Sequence, residues 1–146
     1  MKKLILSLLV AAFMGGNTLS AQTITKNEDG KYSLSVGHVT LTVDAQKGGK
    51  IVSYRYDDKE ILSQTKIPNS FGSTFWTSPQ SEWNWPPVPE YDTKPFNAEV
   101  AGDKLILTGE KSKRFGYRVR KELTTDKKDN AIVITYTIIN ESGETR

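Results

Sequence analysis

The chain has 146 residues, with 20 basic and 17 acidic side chains and a formal net charge of +3. It contains no cysteine, which excludes disulfide bonds and thiol catalysis and leaves core packing to stabilise the fold. The small net charge gives no reason to expect a nucleic-acid partner.

The N-terminus has the pattern of a secretory signal peptide. Lys2 and Lys3 precede an apolar run over residues 4–16, and small residues lead up to Ala21. We predict a signal peptide at residues 1–21, cleaved after Ala21, because the run is shorter than the roughly 20 apolar residues of a membrane span. The product, residues 22–146, is expected to be exported to the periplasm or outside the cell, with no membrane span after cleavage.

The rest of the chain alternates short apolar stretches with turns. Period-two alternation predicts strands at residues 38–44, 50–56, 98–100, 104–108, 115–124 and 131–140, with a hairpin turn at 56–60. No segment after residue 21 keeps an apolar period of 3.6 residues for three turns, so helices should be few and short. These observations predict one all-β domain, an antiparallel β-sandwich or part of one.

All three tryptophans and all six prolines lie between Pro68 and Phe96. This stretch has no helical or alternating pattern, and prolines restrict φ and so reduce the entropy lost when a loop is ordered. Long ordered loops of this kind commonly carry function. The segment from Pro68 to Phe96, here called the aromatic segment, is therefore predicted to present aromatic surface.

A carbohydrate is the ligand that this composition favours. Aromatic rings pack against the apolar face of a pyranose, and amide, hydroxyl or carboxylate groups at the rim bond to its hydroxyls. The alternative is that the tryptophans fold inward and cap an open end of the sandwich. The candidate substrate-binding residues are Trp76, Ser78, Gln80, Glu82, Trp83 and Trp85.

The sequence offers little for catalysis. Glu82, Glu90 and Asp92 are the acids of the aromatic segment, and the chain has a single histidine, His38. No loop has EF-hand spacing, and the absence of cysteine argues against a zinc site. We therefore assign no catalytic residue, no metal site and no cofactor.

Basic residues cluster once, at 111–121. An RNA-binding interpretation is possible on composition alone. The alternation of polar with apolar positions instead favours the solvated face of a half-buried strand. The polar positions are Arg118, Arg120 and Glu122, and the apolar ones are Tyr117, Val119 and Leu123.

Two motifs resemble a known superfamily. The run from Val43 through Gly48-Gly49-Lys50-Ile51 to Tyr54, followed by Glu60-Ile61-Leu62, is similar to the opening hairpin of galactose mutarotase-like domains. A longer motif resembles an uncharacterised secreted branch of that superfamily. Its matching residues are Gly72, Ser73, Phe75, Trp76, Ser78, Pro79, Gln80, Trp83, Trp85, Pro86 and Pro87.

The resemblance implies the N-terminal half of a β-supersandwich and a sugar-binding fold. Epimerases of this superfamily use a histidine as general acid and a glutamate as general base, and by resemblance that glutamate would lie beyond Arg146. His38 falls where the family has no catalytic group. We therefore expect a fragment, or a half-domain completed by a partner, and an aldose 1-epimerase only if a C-terminal half is supplied.

A different class of function is also open. The alternative function is that of a structural or protein-interaction β-domain at the cell surface, with the aromatic segment as a partner surface. An incomplete sheet would leave an unpaired edge that another chain could pair with.

Overall fold

The computed structural model describes residues 23–65, 67 and 71–145. The predicted signal peptide lies outside these residues. Within these ranges, nine strands form two antiparallel sheets. The predicted all-β antiparallel sandwich is confirmed, because strands β2 and β3 of the first sheet pack against β8 and β9 of the second.

The first sheet has the strand order β1-β2-β3-β4-β5. Its strands are β1 (Ile24–Lys26), β2 (Tyr32–Val36), β3 (Val39–Asp44), β4 (Lys50–Tyr56) and β5 (Lys59–Glu60). The expected hairpin forms between β4 and β5, with Asp57 at a φ of 48° in its turn. Strands β1 and β2 were not among the predicted elements.

The second sheet has the order β6-β7-β8-β9. Its strands are β6 (Asn97–Ala101), β7 (Lys104–Thr108), β8 (Tyr117–Asp126) and β9 (Ala131–Asn140). All four were predicted to within two residues. Strand β8 alternates half-buried Arg118, Arg120 and Glu122 with inward Val119 and Leu123, as the pattern of the basic cluster predicts.

The core lies between the facing sides of the two sheets. Successive side chains of a strand point to opposite faces of its sheet, so every second side chain points toward the other sheet. Burial of these apolar side chains away from water stabilises the fold. The fully or nearly fully buried members include Leu34, Val43, Leu105, Leu107, Val119 and Leu123.

The connection from β5 to β6 crosses from the first sheet to the second. It contains the aromatic segment, a 3₁₀ turn at Gln80–Glu82 and one short helix, α1 (Pro89–Asp92), which has proline at its first position. Two backbone hydrogen bonds fix this connection to the first sheet and the turn that follows β3. Ser73 N–H donates to Ile51 O at 3.0 Å, and Phe96 N–H donates to Ala45 O at 2.8 Å.

Candidate aromatic site

The Gly48-Gly49 turn brings the first sheet into contact with helix α1. Both glycines have positive φ, 66° and 56°. Gly48 N–H donates to Lys94 O at 3.0 Å, and a Cβ on Gly48 would lie only 2.0 Å from Asp92 O. A side chain at Gly48 would therefore force the helix away from the turn.

Lys50, which follows this turn, forms a buried ion pair with the helix. Lys50 Nζ lies 2.9 Å from Asp92 Oδ1, and both side chains are almost fully buried. Trp76 Nε1–H donates to the same carboxylate oxygen at 3.2 Å. Asp92 thus holds the ammonium group and the indole of the aromatic segment in fixed positions.

The three tryptophans form one cluster. Trp76 is 5.9 Å from Trp83 and 5.9 Å from Trp85 between ring centroids, with interplanar angles of 62° and 86°. These are edge-to-face contacts, the arrangement that the ring quadrupoles favour. Trp76 and Trp85 together form a right-angled corner.

The tryptophans differ in exposure. Trp83 is only 5% exposed and belongs to the core, and its Nε1–H donates to Thr77 O at 2.9 Å. Trp76 is 45% exposed and Trp85 is 64% exposed. The open corner therefore consists of Trp76 and Trp85, while Trp83 supports it from the core.

The polar candidates lie on the same segment. Ser78 comes directly before cis Pro79, and Gln80 and Glu82 lie on the 3₁₀ turn; all three side chains are exposed. Arg114, from the loop before β8, donates to the backbone oxygens of Glu82 and Trp83. This contact ties the end of the turn to the second sheet and leaves the candidate polar side chains accessible.

The other acids of the aromatic segment are engaged in ion pairs. Glu90 is buried and lies 2.9 Å from Lys94 Nζ, which also pairs with Glu110. Asp92 is held by Lys50. Glu82 is thus the exposed acid of the segment.

His38 lies in the turn between β2 and β3. Its Nδ1 is 2.6 Å from Asp57 Oδ1 on the surface, and its ring stacks on Tyr56. The whole of β3 separates this turn from Gly48-Gly49. The single histidine is therefore at the opposite end of that strand from the turn that contacts helix α1.

Sequence reasoning missed a buried amine near this site. Lys121 lies on the inner face of β8 and is only 3% exposed. Its Nζ donates to Gly48 O at 2.7 Å and to Gly49 O at 3.1 Å, and lies 5.0 Å from the Phe96 ring centroid. The one signal in the sequence is that Lys121 lies two residues from Val119 and from Leu123, and so on the inward-facing side of β8.

The pKa of Lys121 is lowered to about 8, mainly by burial and also by repulsion from Lys50, whereas the Asp92 carboxylate opposes the shift. The ammonium group also lies 5.7 Å from the Tyr136 ring, which stacks on Phe75. Carbonyl oxygens and aromatic faces thus take the place of water around this charge.

Among residues 23–65, 67 and 71–145, no group of three His, Asp or Glu side chains is placed to hold a metal ion. No helix in the same part of the chain is long and apolar enough to cross a membrane. Comparison with known proteins gave no match, whether to a protein family, a curated protein or a solved structure.

Proposed function

We propose that this protein is a secreted carbohydrate-binding protein of galactose mutarotase-like type, with Trp76 and Trp85 as its sugar-contacting rings. The observation that carries the proposal is the exposed corner these two rings form. One ring can stack on the apolar face of a pyranose while the other packs against its edge. Such a corner suits a ring-shaped ligand with one apolar face.

Ser78, Gln80 and Glu82 are the proposed hydrogen-bonding partners of the sugar hydroxyls. Together they offer a hydroxyl, an amide and a carboxylate. Their exposure supports this role. The Trp76 N–H already donates to Asp92, so hydrogen bonds to the sugar hydroxyls would have to come from other groups such as these three.

Rigidity also supports binding. The segment is fixed by the Asp92–Trp76 bond, by the Arg114 contacts and by the packing of Trp83 in the core. A surface that is already ordered loses less entropy when it takes a ligand. Shallow aromatic sugar sites depend on this saving because each contact is weak.

The contacts favour binding over catalysis. Acid and base chemistry at a sugar needs two free groups close to the reacting atoms. In the aromatic segment Glu90 and Asp92 are held by lysines, and Glu82 is the exposed acid. Aldose 1-epimerase activity, in this proposal, would require groups from a C-terminal half.

The proposal is tested by isothermal titration calorimetry with a panel of neutral mono- and oligosaccharides. Calorimetry is preferred because the key variant removes a fluorophore. We expect saturable binding that weakens about fivefold or more in Trp85→Ala, since removal of one stacked ring costs about 1–3 kcal/mol where nucleic-acid bases stack on aromatic side chains. Tyr56→Ala removes an exposed aromatic ring of the β4–β5 hairpin and is the matched control.

Two results would contradict the proposal. One is a folded wild-type protein that gives no saturable heat with any sugar of the panel. The other is binding that Trp85→Ala and Tyr56→Ala reduce equally, which would place the sugar elsewhere.

A further inference from the structure

The basic cluster at residues 111–121 contains both engaged and free cations. Lys113 and Arg114 are exposed, and within residues 23–65, 67 and 71–145 neither forms an ion pair with a carboxylate. The other four cations already have partners or are buried. They are Lys111, which donates to Glu141 O, Arg118 and Arg120, which form ion pairs, and Lys121, which is buried.

The Arg114 guanidinium is fixed beside the corner of Trp76 and Trp85. Its Nη1–H donates to Trp83 O at 3.1 Å, and its Nη2–H donates to Glu82 O. Trp85 follows Trp83 by two residues, so the guanidinium lies within about 10 Å of the Trp85 Cα. This is about one Debye length at 0.1 M salt, so a charge on a ligand at the corner would be only partly screened from Arg114.

The loop that carries Arg114 is held by its own backbone bonds. Ser112 is fully buried, its N–H donates to Tyr117 O at 2.7 Å, and its carbonyl accepts from Gly116 N–H at 2.8 Å. The Arg114 guanidinium lies 5.0 Å from the ring centroid of Phe115. The charge is therefore already in place before a ligand binds, which reduces the entropy lost on binding.

Arg114 also has donors that the fold does not use. A guanidinium carries five N–H groups in one plane. The two backbone oxygens of the aromatic segment take two of them, which leaves three for a ligand. Two parallel N–H groups of a guanidinium match the two oxygens of a carboxylate.

The acids around the corner do not cancel this positive charge. Glu90, Asp92 and Glu110 all form ion pairs with lysines. Glu82 is the exposed acid of the aromatic segment, and its single negative charge stands against the two free cations of the neighbouring loop. The surface beside the corner is therefore net positive and favours an anionic ligand.

We propose that the sugar bound at the corner is acidic, a uronic acid whose carboxylate is held by Arg114 while its ring stacks on Trp76 or Trp85. This substrate class rests on the sugar-binding role proposed for those two rings. The Glu82 carboxylate accepts hydrogen bonds and so suits the hydroxyls of such a sugar, whereas Arg114 donates and suits its carboxylate. Lys113 adds to the positive potential that attracts the ligand.

The test is isothermal titration calorimetry of the full chain, as recovered from the expressing cell, at neutral pH. The probes are the trimers of galacturonic acid and of glucuronic acid, each compared with its own methyl ester, which has the same rings and no charge. We expect each acid to bind about fivefold more tightly than its ester at low ionic strength, as for a well-placed ion pair at the surface. The ratio should approach one near 1 M salt, where the Debye length is about 3 Å.

Three variants locate the charge effect. Arg114→Met should bring the ratio of acid to ester affinity close to one, and Lys113→Glu should lower it. Lys127→Glu changes the net charge as much as Lys113→Glu does, but Lys127 follows the far end of β8, so the ratio should stay as in wild type. If Arg114 only supported the turn, Arg114→Met would weaken acid and ester by the same factor and leave the ratio unchanged.

Equal affinity of the wild-type protein for acid and ester would overturn this substrate class and leave the sugar-binding role of the corner intact. A ratio that survives both Arg114→Met and Lys113→Glu would also overturn it, and so would acid binding that Trp85→Ala leaves unchanged, because the carboxylate would then bind elsewhere. Tighter binding of hexauridylate than of either acid would favour nucleic acid instead. A folded protein that binds none of the four saccharides would contradict the sugar-binding role as well.

Discussion

Gly48 and Asp92 approach so closely that the turn between β3 and β4 has no room for a side chain. A Cβ on Gly48 would lie 2.0 Å from the backbone oxygen of Asp92, and the φ of Gly48 is +66°. The clash is with backbone, which cannot swing aside as a flexible side chain can. This contact joins the first sheet to the helix that positions Trp76.

Gly48→Ala should lower the free energy of unfolding by about 3 kcal/mol or more, because backbone strain and a steric clash add together. Gly102→Ala is the matched control, since Gly102 has a φ of +63° and open space around its Cβ position. Strain alone should make it cost about 1 kcal/mol. Chemical denaturation measures both, and equal losses would show that the contact at Gly48 relaxes freely.

The buried pair of Lys50 and Asp92 should be sensitive to loss of one partner. Lys50→Met leaves the Asp92 carboxylate in the interior with the Trp76 N–H as its remaining donor. We expect a loss of about 3–5 kcal/mol in the free energy of unfolding, the usual cost of an uncompensated buried charge. Arg118→Met breaks the more exposed pair with Glu141 and should cost at most about 1 kcal/mol. A Lys50→Met variant as stable as Arg118→Met would contradict this prediction.

Lys121 should give the protein a stability that rises with pH. Its pKa is about 8 in the folded protein and near its ordinary value of 10.5 in the unfolded chain. Between these values the unfolded chain binds more protons, so raising the pH favours folding, whereas below pH 8 the group contributes no slope. The gain from pH 8 to 10 is on the order of 2 kcal/mol.

Denaturation at pH 8, 9 and 10 measures this slope. Lys121→Met should reduce it, while Lys104→Met, at an exposed lysine of the same sheet, should leave it unchanged. Burial raises the pKa of Tyr136, which opposes this trend above pH 10, where the unfolded tyrosine ionises first. Identical slopes in wild type and Lys121→Met would contradict the assignment.

Because Trp83 is buried and Trp85 is exposed, we expect their replacement to lower the free energy of unfolding by very different amounts. Trp83→Ala should cost about 3–5 kcal/mol because it empties a core position and orphans Thr77 O. Trp85→Ala should change the free energy of unfolding by less than about 0.5 kcal/mol, as is usual at exposed positions. Thermal unfolding of the two variants decides this, and a large loss in Trp85→Ala would mean that its ring serves stability.

The sequence predicted the second sheet and part of the first. Alternation is clear in β7 and β8, because each has one face toward the core. Strand β2 has the same pattern, with Tyr32, Leu34 and Val36 buried, and so could have been predicted from its sequence. Strand β1 is too short for periodicity to reveal it.

The candidate site was only partly predictable. Composition drew attention to the three tryptophans but does not distinguish buried Trp83 from exposed Trp85, since both lie in one irregular segment. Lys50, Asp92 and Lys121 come together only when β4, α1 and β8 meet. The spacing of these three residues along the chain does not predict that they lie close together.

The edge-to-face packing of the indoles also has an optical consequence. With Trp76 at 5.9 Å from both neighbours, the transition dipoles of the three rings couple and split into exciton bands in the far ultraviolet. Those bands overlap the weak signal of a β-sheet. A circular dichroism spectrum of this protein will therefore understate its strand content, and the change produced by Trp76→Phe will be mainly the loss of an aromatic couplet, with the fold intact.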